Sequence, residues 1–264
     1  MISKDILLNN FSKIEYLTFV CECCKKGAKV FDTNKYFESE SEFSRREYTE
    51  DVNGFKTKIQ RRFSAGFICS NSECRDISIL VGEINSILRL QEENYQGQVT
   101  QNPTYNNRIS IFDIVPTLNL FDIESYSFKT EASAIESELK DVFSVFWRNA
   151  DCCAMKIRAF LEVLMDDNII GKTGTDKKGK EYPYKLHRRI EFFEEKYPNE
   201  DLKAILLNLK DFGNIGSHAG EKLTREKLII MVEIVECILN QLYTDNRGKL
   251  IILDNKLKKS ATNV

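Results

Sequence analysis

The stretches "FVCECCKKGA" (residues 19–28) and "FICSNSECRD" (residues 67–76) set Cys21 and Cys24 two residues apart and Cys69 and Cys74 four residues apart. A short turn holds its pair of sulfurs at one apex, so two such turns can supply four thiolates to one tetrahedral zinc ion. Gly27 follows the first pair, and an aromatic residue stands two positions before each leading cysteine, Phe19 and Phe67. The 44 residues between Cys24 and Cys69 exceed the insert usual in a zinc ribbon. A site closed by Cys21, Cys24, Cys69 and Cys74 has no open coordination position, so its zinc is expected to hold a small domain together and not to catalyse. Two alternatives stay open: the four thiols are buried without metal, or Cys23 stands in for Cys21 or Cys24. Cys152, Cys153 and Cys237 fall on predicted helices and read as core residues.

Outward from these turns the chain changes character near residue 125. Before it lie short runs rich in aromatic and β-branched residues, such as "GFKTKIQRRFSAGFIC" and "RISIFDIVPTL", broken by Gly, Asn and Pro as strands are. After it apolar residues recur at steps of three and four from about Thr130 to Asn168, through Ile135, Leu139, Phe143 and Phe146 and then Ile157, Phe160, Leu161 and Leu164. Asp151 is placed to cap the second of two helices there. "GKTGTDKKGKEYP" reads as an exposed loop, and helical stretches are expected at about Tyr184 to Lys196, Asn199 to Phe212 and Thr224 to Tyr243. The spacing therefore predicts an α+β chain with a zinc-ribbon-like β-rich domain with linker (residues 1–124), a helical domain (residues 125–246) and a C-terminal tail (residues 247–264).

At 264 residues either domain can bury a core. The formal charge of −2, from 38 Lys and Arg against 40 Asp and Glu, announces neither a nucleic-acid binder nor a membrane-surface protein, so any such role rests on local patches. No apolar run approaches the roughly 18 residues of a membrane helix, and no partner membrane is expected. A cytoplasmic location is expected, where eight cysteines serve as free thiols or metal ligands.

Two local patches are basic. Lys56, Lys58, Arg61 and Arg62 stand close together, flanked by Phe55 and Phe63, after a segment of six acids at residues 38–51. From Lys172 to Arg189 seven Lys and Arg, among them Lys177, Lys178, Arg188 and Arg189, face only Asp176 and Glu181. Cations interleaved with rings suit nucleic acid, RNA or DNA, where charges meet phosphates and rings stack on bases. A solvated hairpin and a solvated loop are the bland alternatives.

"DFGNIGSHAG" (residues 211–220) tempts a kinase reading, but the glycine-rich loop, strand lysine and catalytic-loop aspartate are missing. "GKT" at 171–173 lacks the earlier glycine of a phosphate loop, since Asp166 stands there. On a helix Asp211, Asn214 and His218 fall within about 60° of one another, so this face can do acid–base work. Alternatively, Gly213 and Gly216 permit close helix packing while Asn214 and His218 bond the backbone.

The order of three blocks, "AMKIRAFLEVLM", "LHRRIEFF" and "DFGNIGSH" ahead of a long amphipathic helix, resembles the domain-of-unknown-function 4145 family from about Glu131 to Tyr243. The resemblance implies a HEPN-like helical bundle, a homodimer, and service with nucleic acid or a partner protein in a prokaryotic anti-phage defence system. An N-terminal cysteine-pair module is common among such proteins. HEPN-like relatives include metal-independent endoribonucleases that use an arginine, a polar residue and a histidine. Asn214 and His218 match the last two as tentative catalytic residues, while the arginine slot holds Gly213. The expectation is thus a binding or assembly protein, with a His218-dependent ribonuclease as the alternative.

Overall fold

A computed structural model of the chain describes residues 12–47, 50, 54–95, 98–215 and 223–244. The fold is α+β: an antiparallel five-stranded sheet comes first and helices follow. The strands are β1 (Phe19–Val20), β2 (Ala28–Glu40), β3 (Lys58–Cys69), β4 (Ile77–Tyr95) and β5 (Gln98–Val115), in that spatial order, with a short α1 (Glu42–Glu47) after β2. The helices are α2 (Ala132–Phe146), α3 (Ala150–Asp167), α4 (Leu186–Lys196), α5 (Glu200–Ile215) and α6 (Arg225–Tyr243). Contacts group the chain into two units, Met1–Phe121 with Phe143–Asn149, and Asp122–Val142 with Ala150–Val264.

In the sheet unit the strands are long, not the short runs that the Gly, Asn and Pro breaks predict, because alternation persists through those residues. Along β3, Phe63, Ala65, Phe67 and Cys69 are buried and the residues between them turn the other way. Leu80 and Ile84 of β4 and Ile109, Ile111 and Ile114 of β5 join them. Ile111 and Ile114 are three apart and would face opposite sides of a regular strand. The register skips Phe112, pairing Val81 with Asp113 and Gly82 with Ile111, so the bulge returns both isoleucines to the core face. A second irregularity lies in β2, where Asp32 pairs with Gly66 and Tyr36 with Ala65, so residues 33–35 loop out.

In the helical unit each helix buries one stripe: Ile157, Phe160, Leu161 and Leu164 on α3, Leu186, Ile190 and Phe193 on α4, Leu228, Val235 and Leu239 on α6. Polar residues at the end of α3 tie the unit together. The Asp167 carboxylate accepts the backbone N–H groups of Lys129 (3.0 Å), Thr130 (2.7 Å) and Glu131 (2.9 Å) ahead of α2, capping that helix from a distance in sequence. Burial pushes its carboxyl up, but those backbone donors and the Tyr243 hydroxyl outweigh it and hold it below the ordinary carboxylate range. The Asn168 amide donates to Tyr243 Oη at 2.8 Å, and Lys196 Nζ donates to the Asn168 carbonyl at 2.8 Å.

Three local expectations need correction. Asp151 is not an N-cap: α3 starts at Ala150, and the Asp151 carboxylate accepts the Leu223 N–H at 3.3 Å. The predicted loop at 171–183 holds a hairpin, β6 (Thr173–Thr175) with β7 (Glu181–Pro183), closed by Asp176 Oδ1 accepting the N–H groups of Lys178 and Lys180. Of the three helical cysteines only Cys153 is core; Cys152 and Cys237 are exposed.

Candidate metal centre and nucleic-acid interface

Cys21 leads and Cys24 sits within the turn from β1 to β2, whereas Cys69 closes β3 and Cys74 sits in the turn to β4. Pairing of β2 with both neighbours sets the two turns side by side: the Ser70 N–H donates to the Ala28 carbonyl at 2.8 Å and the Ala28 N–H donates to Ser70 Oγ at 3.0 Å. The turns have matching form. Lys25 and Arg75, each following the second cysteine, adopt left-handed backbone with φ of 56° and 51°. Gly27 is demanded by proximity, since a Cβ there would lie 2.4 Å from Cys69 Sγ. Below the quartet the rings of Phe19 and Phe67 pack with centroids 5.4 Å apart, which accounts for the aromatic two residues before each leading cysteine.

The four sulfurs lie within 4.8 Å of one another, with Cys21 to Cys74 at 3.8 Å and Cys24 to Cys69 at 3.6 Å. Sulfurs about 2.3 Å from a tetrahedral ion are about 3.8 Å apart, while a disulfide needs about 2.05 Å, so this quartet fits a metal and no disulfide joins it. Backbone donors are aimed at the sulfurs, from Gly27 to Cys24 and from Asn71 to Cys69, each at 3.4 Å. Donors from Lys26 and Gly27 bring the Cys24 thiol down to about 6. At Cys74 the Asp76 N–H lowers the thiol, yet burial and the neighbouring sulfurs together push it up to about 12. Crowded thiols resist joint ionisation, and a cation at their centre removes that resistance. Cys23 is exposed and outside the quartet. Lys29, 1% exposed, is the register partner of Cys69 and donates to Asp76 Oδ2 at 2.7 Å.

The first basic patch is largely neutralised by its own strand neighbours. Lys56 Nζ lies 2.6 Å from Glu40, and Arg61 Nη1 lies 3.0 Å from Glu38. Arg61 Nη2 donates to Ser86 Oγ at 2.9 Å, Ser86 Oγ donates to Asn107 Oδ1 at 2.8 Å, and the Tyr36 hydroxyl donates to Glu38. Burial first, and then Glu38, keep the Tyr36 phenol protonated well above its ordinary range. A polar row thus crosses four strands. Lys58 and Arg62 remain exposed.

The second patch is divided by the α4 helix. Arg189 does not belong to its surface: it is 4% exposed and its guanidinium is held by the carboxylates of Glu162 and Asp166 and the carbonyl of Ile170. One residue earlier, Arg188 is exposed, pairs with Glu191 at 2.7 Å and lies 4.2 Å from the Phe192 ring centre. Lys177, Lys178, Lys180 and Lys185 are exposed and have no ion-pair partner among the described residues. Beside them runs a ladder of rings, Tyr182 to Tyr184 at 5.6 Å and Tyr184 to Phe192 at 5.0 Å, with Tyr182 45% exposed. Sequence reasoning passed over these rings, although their spacing at 182, 184 and 192 across a strand and a helix was the available signal.

Asn214 is half-buried near the end of α5, and His218 lies outside the described residues. Gly213 sits where α5 crosses α3: a Cβ there would lie 2.6 Å from Arg158 Cβ and 3.0 Å from the Ala154 carbonyl oxygen. No arginine fits at that position with the helices as they are.

Among the described residues no helix is long and apolar enough to cross a membrane. No curated protein and no solved structure matches the chain. Residues 9–110 match a family model described as a domain of unknown function (DUF8608). Residues 140–262, which take in the C-terminal part of α2 and all of α3 to α6, match the family model described as a domain of unknown function (DUF4145).

Proposed function

We propose that the protein binds single-stranded nucleic acid through the β6–β7 hairpin and the start of α4, and that a zinc ion held by Cys21, Cys24, Cys69 and Cys74 staples the sheet unit. The observation that carries the binding role is the group of four exposed lysines, Lys177, Lys178, Lys180 and Lys185, without carboxylate partners beside the rings of Tyr182, Tyr184 and Phe192. Unspent cations release counterions when they meet phosphates. Rings stack on bases of any sequence, which favours an unpaired strand over a duplex. The Asp176-closed turn holds the cations on a preformed hairpin, so little ordering accompanies binding.

Binding without cleavage is the reading favoured over a His218-centred ribonuclease, because Gly213 is packed against α3 where the cation would be needed. Zinc is the metal favoured by four thiolates in a closed tetrahedron. The test is fluorescence anisotropy of full-length protein with a labelled single-stranded RNA in EDTA-free buffer over a range of salt. The triple change Lys177→Glu, Lys178→Glu and Lys180→Glu is expected to weaken binding more than tenfold and to flatten the salt dependence by about two units of log–log slope. Equal affinity of wild type and variant sinks the reading. The same RNA, recovered from EDTA-treated protein, is expected intact.

A further inference from the structure

The core face of the sheet is not filled to its edge. A cleft of about 470 Å³ opens over it, walled by residues 12–15, by the loop-out at Thr33 and by the strands β2 to β5. That volume lies within the range of small-molecule sites. Its floor is apolar, with Ile84 and Ile109 at 5% and 1% exposure and the Phe31 ring beside them. The polar row of Glu38, Arg61, Ser86 and Asn107 runs across this floor, although a closed sheet face would be cheaper with apolar residues alone.

The donors and acceptors along that row do not balance. Glu38 already accepts from Arg61 and from the Tyr36 hydroxyl, one donor on each oxygen. Arg61 carries five N–H groups, of which one bonds Glu38 and one bonds Ser86; its Nε is buried and has no partner among the described residues. Asn107 uses its carbonyl oxygen to accept from Ser86, and among the described residues neither amide N–H group is taken. Lys13 stands at the rim with one long contact, 3.4 Å to Tyr16 Oη. Among the described residues Glu15 is the other charge at the rim, and it is exposed to solvent. Unspent donors over an apolar floor select a ligand that brings oxygen acceptors and an apolar body.

We propose that this cleft binds a small organic acid, whose carboxylate or phosphate takes the free N–H donors of Arg61, Asn107 and Lys13 while its apolar body lies on Ile84, Ile109 and Phe31. The site is separate from the nucleic-acid surface of the helical unit and does not depend on it.

The test uses the full-length protein with isoleucine methyl groups labelled for NMR. Phenyl phosphate, benzoate, inorganic phosphate and benzyl alcohol are titrated separately. Saturable movement of the Ile84 and Ile109 methyl signals with phenyl phosphate or benzoate is expected, with Ile157 and Ile190 of the helical unit unmoved. The stronger of the two acids identifies the head group. Benzyl alcohol and inorganic phosphate, each lacking half of the ligand, are expected to bind at least tenfold more weakly. Asn107→Asp keeps the oxygen that accepts from Ser86 but replaces the amide donors with an anion, and is expected to abolish the response with the methyl spectrum otherwise preserved. Arg61→Met is expected to weaken it tenfold or more. No movement with either acid, an equal response to benzyl alcohol, or unchanged binding by Asn107→Asp overturns the proposal.

Discussion

Gly27→Ala tests the metal centre through one methyl group. The new Cβ would lie 2.4 Å from Cys69 Sγ, with the Asn71 N and Cβ at 3.0 and 3.1 Å closing off the other side. Non-bonded carbon and sulfur separate to about 3.6 Å or more, so the sulfur or the whole turn must retreat by roughly 1 Å. Metal–ligand distances tolerate about 0.2 Å, so Cys69 ceases to be a full ligand. Structural zinc in small finger peptides is bound by about 10–16 kcal/mol, and one ligand in four is worth about 3–4 kcal/mol, or roughly a 10²–10³-fold loss of affinity. Zinc content after dialysis and competition with a chromophoric chelator measure this directly. Gly171→Ala, with nothing within 4 Å of its added Cβ, is the matched control. Retention of one zinc per chain by Gly27→Ala, with affinity within threefold of wild type, would refute the assignment of this glycine and of the quartet it serves.

Three further outcomes are expected. Cys23→Ser keeps the metal, because Cys23 is exposed and outside the quartet, whereas Cys74→Ser loses it; metal analysis of the two purified variants checks this. Asp167→Ala removes the acceptor of three backbone N–H groups and is expected to cost about 2–3 kcal/mol, or about 4–12 °C in Tm at pH 7. Since the folded carboxyl is held below its ordinary value, that stabilisation is complete above the unfolded pKa of about 3.9 and is lost as pH falls through the folded one, so calorimetry at pH 7 and pH 3 should find the gap narrowing. Gly213→Arg, which would complete the arginine, polar residue and histidine pattern, is expected to lower stability by about 2 kcal/mol or more and to yield no ribonuclease; a folded variant that cuts RNA in EDTA would contradict the packing of α5 on α3.

The cysteine pairs were legible because ligand spacing within a turn is local, and the helices were legible because burial repeats every three to four residues. The polar row was not. Tyr36, Glu38, Arg61, Ser86 and Asn107 come from four strands and meet only through the register, which no local pattern carries. The β6–β7 hairpin hid for a different reason: each strand has three residues, too few to display alternation among lysines and glycines. Arg188 and Arg189 were read alike, yet neighbours on a helix point about 100° apart, and that rotation carries one to solvent and the other into a cage of carboxylates.

A net charge of −2 conceals how unevenly the cations are used. On the sheet, alternate residues of β2 supply Glu38 and Glu40 to the face that carries Arg61 and Lys56, so pairing across strands cancels each cation where it stands. At the hairpin the lysines lie in the turn and beyond β7, outside the paired residues, so no cross-strand carboxylate stands opposite them, and Asp176 spends one oxygen on two backbone N–H groups. Lys56 and Arg61 are therefore held by the sheet's own carboxylates, while Lys177, Lys178, Lys180 and Lys185 are left available. Like charges crowded on one turn repel one another, so a fold that keeps these lysines beside the exposed ring of Tyr182 leaves that surface best suited to an anion brought from outside.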